Sequence, residues 1–170
     1  AANSKIFEHI SLPEDRFEIH FLEWLIPESK NESIEAYAKR MSTAIKHTNP
    51  ILIGVSFGGV MVQEISKLIS FEIEQYDSFM FTDFLKKRSE LYKTYLSVRD
   101  PNYLEWAIAT ILNWQQQEPL EYVKHIHGNQ DEVFPFKNIT GAIEINKGSH
   151  VMIINKAKTI SNILADECVT

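Results

Sequence analysis

Apolar residues change their spacing several times along this chain, and each change predicts an element. Phe17-Glu18-Ile19-His20-Phe21 alternates apolar and polar positions, the period of a half-buried strand. After a polar connection from Pro27 to Asn31, residues Ile34, Tyr37, Ala38, Met41 and Ile45 recur on one face of a helix that ends before Asn49-Pro50. Pro50-Ile51-Leu52-Ile53-Gly54-Val55 is a short apolar run, as in a parallel strand buried on both faces. Helical spacing returns from Gly58 to Ile69, with Met61, Ile65 and Leu68 on one side. Strand, helix, strand, helix predicts an α/β chain with a doubly wound, mostly parallel sheet.

The pattern is helical only from Tyr76 to Gln117, with Phe81, Phe84, Leu85, Leu91, Tyr92, Tyr95 and Leu96, then Leu104, Trp106, Ile108, Ile111, Leu112 and Trp114. Pro101 and Pro119 punctuate it. These aromatics suit either a core or an apolar pocket. Tyr122-Val123-Lys124-His125-Ile126-His127 and Ala142-Ile143-Glu144-Ile145-Asn146 read as two further strands, and an apolar helical stretch opens at His150.

Gly54-Val55-Ser56-Phe57-Gly58 falls on the turn between the second strand and its helix, the context of a nucleophile elbow. A serine hydroxyl is a weak nucleophile at neutral pH and must be held out of the backbone beside a base. A sharp turn does this, and close chain approach leaves room only for hydrogen at Gly54 and Gly58. The Phe57 N–H, at the start of the helix, is then one oxyanion donor. The bare pattern arises by accident in roughly one chain in twenty of this length, so its neighbours in the fold must carry the assignment.

Those neighbours are an acid and a histidine in the order such a sheet requires. Asp131 lies in the polar turn Gly128-Asn129-Gln130-Asp131 just past one strand, and His150 follows the next strand through Lys147-Gly148-Ser149. Loops leaving the carboxyl ends of parallel strands converge on one edge, so Ser56, Asp131 and His150 are expected to meet. His150 would take the serine proton and return it to the leaving group, and Asp131 would fix the imidazole tautomer.

Taken together, Gly54-x-Ser56-x-Gly58-Gly59 after an apolar strand, His127-Gly128-x-x-Asp131-x-x-x-Pro135 and Gly148-x-His150 resemble the α/β-hydrolase superfamily, and within it small bacterial hydrolases of unassigned substrate. The resemblance implies a core of residues 1–70 and 119–170 and a helical cap over 71–118. It implies hydrolysis of a small ester or thioester through an acyl-enzyme, with no cofactor and no metal. It also implies strands before Phe17 and an oxyanion loop after one of them. The chain therefore reads as lacking N-terminal strands and a segment near Ser70, with Ala2 supplying the second oxyanion N–H. A non-catalytic module holding a small ligand on the same scaffold is the alternative.

Other residues compete weakly. His9, His20 and His47 precede the serine, and His20 reads as the outer face of its strand. His125 and His127 share one strand face, and no third metal ligand is evident there; the resemblance implies that His127 braces the acid turn. Glu132, Asp77 and Asp83 are alternative acids, although nothing around Asp77 resembles a strand end. Cys168, the sole cysteine, is expected at a frayed terminus.

Composition closes off other functions. A net charge of −6 without a Lys/Arg block argues against nucleic acid and anionic membranes. No apolar run is long enough to span a bilayer. One cysteine and no signal-peptide pattern favour the cytoplasm. A chain of 170 residues, 44% apolar, supports one core but is short for this fold.

Overall fold

The computed structural model describes residues 2–68, 75–77, 100–116, 120 and 122–168. Helix α1 spans Ile34–Ser42 and α2 spans Phe57–Leu68. Strand β1 is Gln75–Asp77, and α3 runs from Pro101 to Asn113. β2 (Val123–Gly128), β3 (Ile143–Ile145), α4 (Met152–Asn155) and α5 (Ala157–Glu167) complete the order.

Local chemistry explains the helix starts. The Ser33 side chain accepts from the Ala36 amide at 3.2 Å and caps α1. Asp100 caps α3 in the same way through the Tyr103 amide at 2.9 Å, with Pro101 in the first turn. Arg40, in the last turn of α1, grips both Glu32 carboxylate oxygens at 2.8 Å, and this guanidinium holds the Glu32 carboxyl below its ordinary range against the opposing effect of burial.

The three strands are parallel in the order β1-β2-β3. The β1 residues pair with Val123, Lys124 and His125, and β3 pairs with Ile126, His127 and Gly128. Among the described residues the sheet is thus nowhere more than two strands wide. This overturns the expected doubly wound, mostly parallel sheet of the α/β-hydrolase fold: the described residues do not build it. The physical reason lies in backbone partners. Phe17–Phe21 alternates as expected, yet it makes no strand, and Ile19 and Phe21 are about half exposed at 47% and 52%. In the 50–55 run only Ile53 forms a β-bridge. Alternation fixes which face a residue shows, but a strand also needs a neighbour on its edge.

Among the described residues two apolar cores form instead. The first joins α1, α2 and α3 through Tyr37, Met41, Met61, Ile65, Tyr103 and Trp106. The second joins β2, β3, α4, α5 and the N-terminal stretch through Ile126, Ile145, Met152, Ile160 and Leu164, with Phe7, Leu12 and Phe17 packed against it. Ser11 N–H donates to Ser161 Oγ at 3.0 Å and Arg16 Nη2 to the Ala165 carbonyl at 3.1 Å, tying that stretch to α5.

Helix α3 falls within the 71–118 unit expected as a cap. It packs Tyr103 and Trp106 into the first core beside α1 and α2, and the Trp106 indole donates to the Glu32 carbonyl at 2.8 Å. Leu104, Ile108 and Leu112 form its exposed stripe. Phe81, Asp83 and the other cap positions between 78 and 99 lie outside the described residues. Leu68, expected to be buried with Met61 and Ile65, is 47% exposed. Cys168 is buried in the second core rather than frayed, because α5 carries it there. Asp77 closes β1, so it does stand at a strand end.

Candidate functional site

The serine turn is built from an extended run that enters from one core and leaves into the other. Ile51, Ile53 and Val55 pack against the second core, whereas Leu52 and Phe57 are buried in the first. Between them Ser56 sits at φ 60°, in the left-handed region that costs a non-glycine residue about 1–2 kcal/mol. The chain folds back at once: the Gly58 amide donates to the Val55 carbonyl and the Gly59 amide to the Ser56 carbonyl, both at 2.9 Å. A β-carbon on Gly54 would lie 2.2 Å from the Gly58 carbonyl oxygen, so hydrogen is required there. At Gly58 a β-carbon would meet nothing within 4 Å, which corrects the expectation that both glycines are needed for space.

Phe57 opens α2, and its N–H precedes the first amide the helical ladder can engage. Its ring is fixed by stacking on Trp24 at 5.5 Å and by an edge contact with Trp106 at 5.7 Å. The Trp24 indole donates to the Ala2 carbonyl at 2.8 Å, so Trp24 links the Ala2 peptide to the residue after the serine.

Asp131 and His150 are brought together by neighbouring parallel strands. β2 ends at Gly128, and the turn after it closes through the Asp131 amide to the Gly128 carbonyl at 3.1 Å. The loop leaving β3 crosses this turn. Asn129 N–H donates to the Ile145 carbonyl at 3.1 Å, Gln130 N–H to the Gly148 carbonyl at 2.8 Å, and Lys147 N–H to Asn129 Oδ1 at 2.8 Å. The crossing is possible because both residues at it are glycine. A β-carbon on Gly128 would stand 2.2 Å from the Gly148 carbonyl oxygen, and one on Gly148 would stand 2.8 Å from the Gly128 Cα. Both glycines stand in the sequence just after strand patterns, and that was the signal available for this junction.

The result is an oriented pair. Asp131 Oδ1 accepts from the Val133 and Phe134 amides at 2.8 and 2.9 Å, and Oδ2 accepts from His150 Nδ1 at 3.0 Å. Burial would raise the Asp131 pKa, but the His150 hydrogen bond and the two amides outweigh it and lower the value. The carboxylate is therefore ionised at neutral pH, and Nδ1 carries the shared proton. Nε2 of a neutral His150 is left as the acceptor.

A second histidine braces the acid turn. His127, 1% exposed, donates from Nε2 to the Phe134 carbonyl at 2.8 Å, and the same nitrogen lies 3.6 Å from Asp131 Oδ2. Its Nδ1 is 3.2 Å from His125 Nε2, which donates to it when both rings are neutral. Burial, aided by His127, pushes the His125 pKa down from 6.5 to about 4.

The Ser56 hydroxyl and His150 form no hydrogen bond in this structure. Both Ser56 and His150 stand close in sequence to residues of the second core: Val55 precedes the serine, and Met152 and Ile153 follow the histidine. Trp24 had no place in the sequence-based site, because a single tryptophan in irregular chain carries no spacing signal. Glu132, the alternative acid, forms no bond to His150 among the described residues. Among the described residues no helix is long and apolar enough to cross a membrane. Comparison with known proteins finds no matching family model and no matching curated protein.

Proposed function

We propose that this chain is a serine hydrolase that cleaves a small ester or thioester through an acyl-enzyme on Ser56, with His150 as base and Asp131 as its orienting acid. The observation that carries the reading is the Asp131 Oδ2 to His150 Nδ1 bond of 3.0 Å, with a left-handed Ser56 at the start of α2. An ionised acid on Nδ1 leaves Nε2 as the proton acceptor, the role a serine nucleophile requires.

In the reaction, Ser56 Oγ attacks the carbonyl carbon while its proton passes to His150 Nε2. Negative charge collects on the carbonyl oxygen, where the Phe57 N–H and the N–H of Ala2 act as donors. Collapse breaks the bond to the alcohol or thiol, which leaves with the His150 proton. Water then loses a proton to His150 and attacks the acyl carbon; as the acyl–Oγ bond breaks, Ser56 Oγ takes that proton back from His150 and the acid leaves. The Ser56 to His150 hydrogen bond forms as substrate binds, in keeping with the loose contacts of many apo catalytic sites.

Labelling of Ser56 by a fluorophosphonate tests the reading: the expected adduct is lost in Ser56→Ala. A folded protein that resists the reagent and fails to turn over a short-chain nitrophenyl ester overturns it. The missing bond between Ser56 and His150 favours a second reading, a module that holds a small ligand without catalysis. Ligand binding without ester turnover would support that one. The sole cysteine and net negative charge support a cytoplasmic protein acting on a small molecule rather than nucleic acid.

A further inference from the structure

We propose that Glu18, His20 and His47 form a binding site for a divalent metal ion of the zinc type, separate from the serine site. One ligand atom from each residue lies within 4.8 Å of the other two. His20 Nε2 is 3.0 Å from Glu18 Oε1, and the two imidazole rings stand 4.1 Å apart. All three side chains are exposed, so small rotations can bring the donors to the spacing of about 3.4 Å that a tetrahedral ion with bonds of about 2.0–2.1 Å requires.

The donor chemistry selects the ion. Two imidazoles and one carboxylate suit zinc and its first-row neighbours, whereas calcium and magnesium prefer oxygen ligands alone. Three protein donors leave a fourth position for water. The other close histidine pair is already engaged: His127 spends one nitrogen on the Phe134 carbonyl and the other on His125. Cys168 is buried in the second core.

The site has a structural consequence. Glu18 and His20 belong to the irregular 17–27 stretch, while His47 lies between α1 and Pro50, just before Asn49 at φ 50°. The 17–21 segment has the alternation of a strand but no ladder to hold it, with Ile19 and Phe21 about half exposed. An ion shared by these three residues fastens that segment to the turn leading into the Ser56 run.

Calorimetric titration of the full chain with zinc chloride, after chelator treatment and dialysis, tests this. The expected result is one zinc per chain, weakened tenfold or more in His47→Ala and in His20→Ala. Both positions are exposed, so folding of the variants is not at risk and circular dichroism verifies it. Cobalt substitution should give the visible bands of a tetrahedral ion, and zinc should slow amide exchange at 17–21 and 45–50. Absence of binding, binding unchanged in both variants, or protection confined to other segments would each overturn the proposal.

Discussion

Asp131→Asn separates the orienting role of this residue from its structural one. Oδ1 of Asp131 accepts from two backbone amides, at Val133 and Phe134, and Oδ2 accepts from His150 Nδ1. An asparagine must keep its oxygen on the two amides, since the flipped amide would set donor against donor at both. Its NH2 then faces His150 Nδ1, which can meet it only as an acceptor. That drives the proton to Nε2, the nitrogen that receives the serine proton in the proposed reaction. The turn keeps its bonds while the base is held in the wrong tautomer. Losses of this kind are about 10⁴-fold in kcat, equivalent to about 5 kcal/mol of transition-state stabilisation. The assay is kcat/KM for a nitrophenyl ester beside the rate of fluorophosphonate labelling, with a urea melt to verify that the fold survives. A well-folded Asp131→Asn retaining activity within tenfold of the wild type would refute the reasoning.

Gly54→Ala is expected to cost about 1–3 kcal/mol and most of the activity, since its β-carbon meets backbone at 2.2 Å, whereas Gly58→Ala should retain activity and gain up to about 1 kcal/mol in thermal melts. Equal effects from the two would contradict the turn geometry. Ser56→Gly and Ser56→Ala should both abolish labelling, but the glycine variant should be the more stable by about 1 kcal/mol because it relieves the φ of 60°; an equal or lower urea midpoint would count against strain at Ser56. The His125 pKa falls from 6.5 unfolded to about 4 folded, so the unfolded chain binds the proton first as pH drops. Stability should therefore be full above pH 6.5 and decline towards pH 4, by about 1–3 kcal/mol once partial exposure is discounted. His125→Gln should flatten that slope in urea midpoints measured across the window, and identical slopes would remove His125 as the cause.

Where the sequence spoke of faces, the structure largely agrees. Tyr37, Ala38 and Met41 are buried on the predicted side of α1, and Ser33 caps it. Met61 and Ile65 are buried on α2, and β2 and β3 stand where the two strand patterns predicted them. What periodicity does not carry is the identity of a partner. The 17–21 and 50–55 patterns were sound as alternation, and the second even divides its side chains between two cores. Neither says which backbone should receive its hydrogen bonds, so an architecture inferred from them overreached. Glu64 shows the limit for single residues. It is buried at 4%; Lys67, three residues on in the same helix, pairs with it at 2.6 Å, but its other partner, the Trp114 indole at 2.7 Å, is one that only the packed fold reveals.

For Ser56 the deciding fact is which residue bears the strain. A turn made only to pack a helix would put glycine at the left-handed position, where it costs least. Here serine occupies it, while neither Gly54 nor Gly58 has positive φ. Gly54 instead admits the returning carbonyl of Gly58, so the glycine serves the approach and the serine takes the unfavourable φ. Such an arrangement persists only if the chain is fixed on both sides. Val55 and Phe57 supply this by packing into different cores. Strain held in this way at a polar side chain is common at reactive positions. Asn49 and Lys147 share the left-handed φ, so what distinguishes Ser56 is that its two chain neighbours are anchored in different cores, a ground independent of the Asp131 and His150 pair.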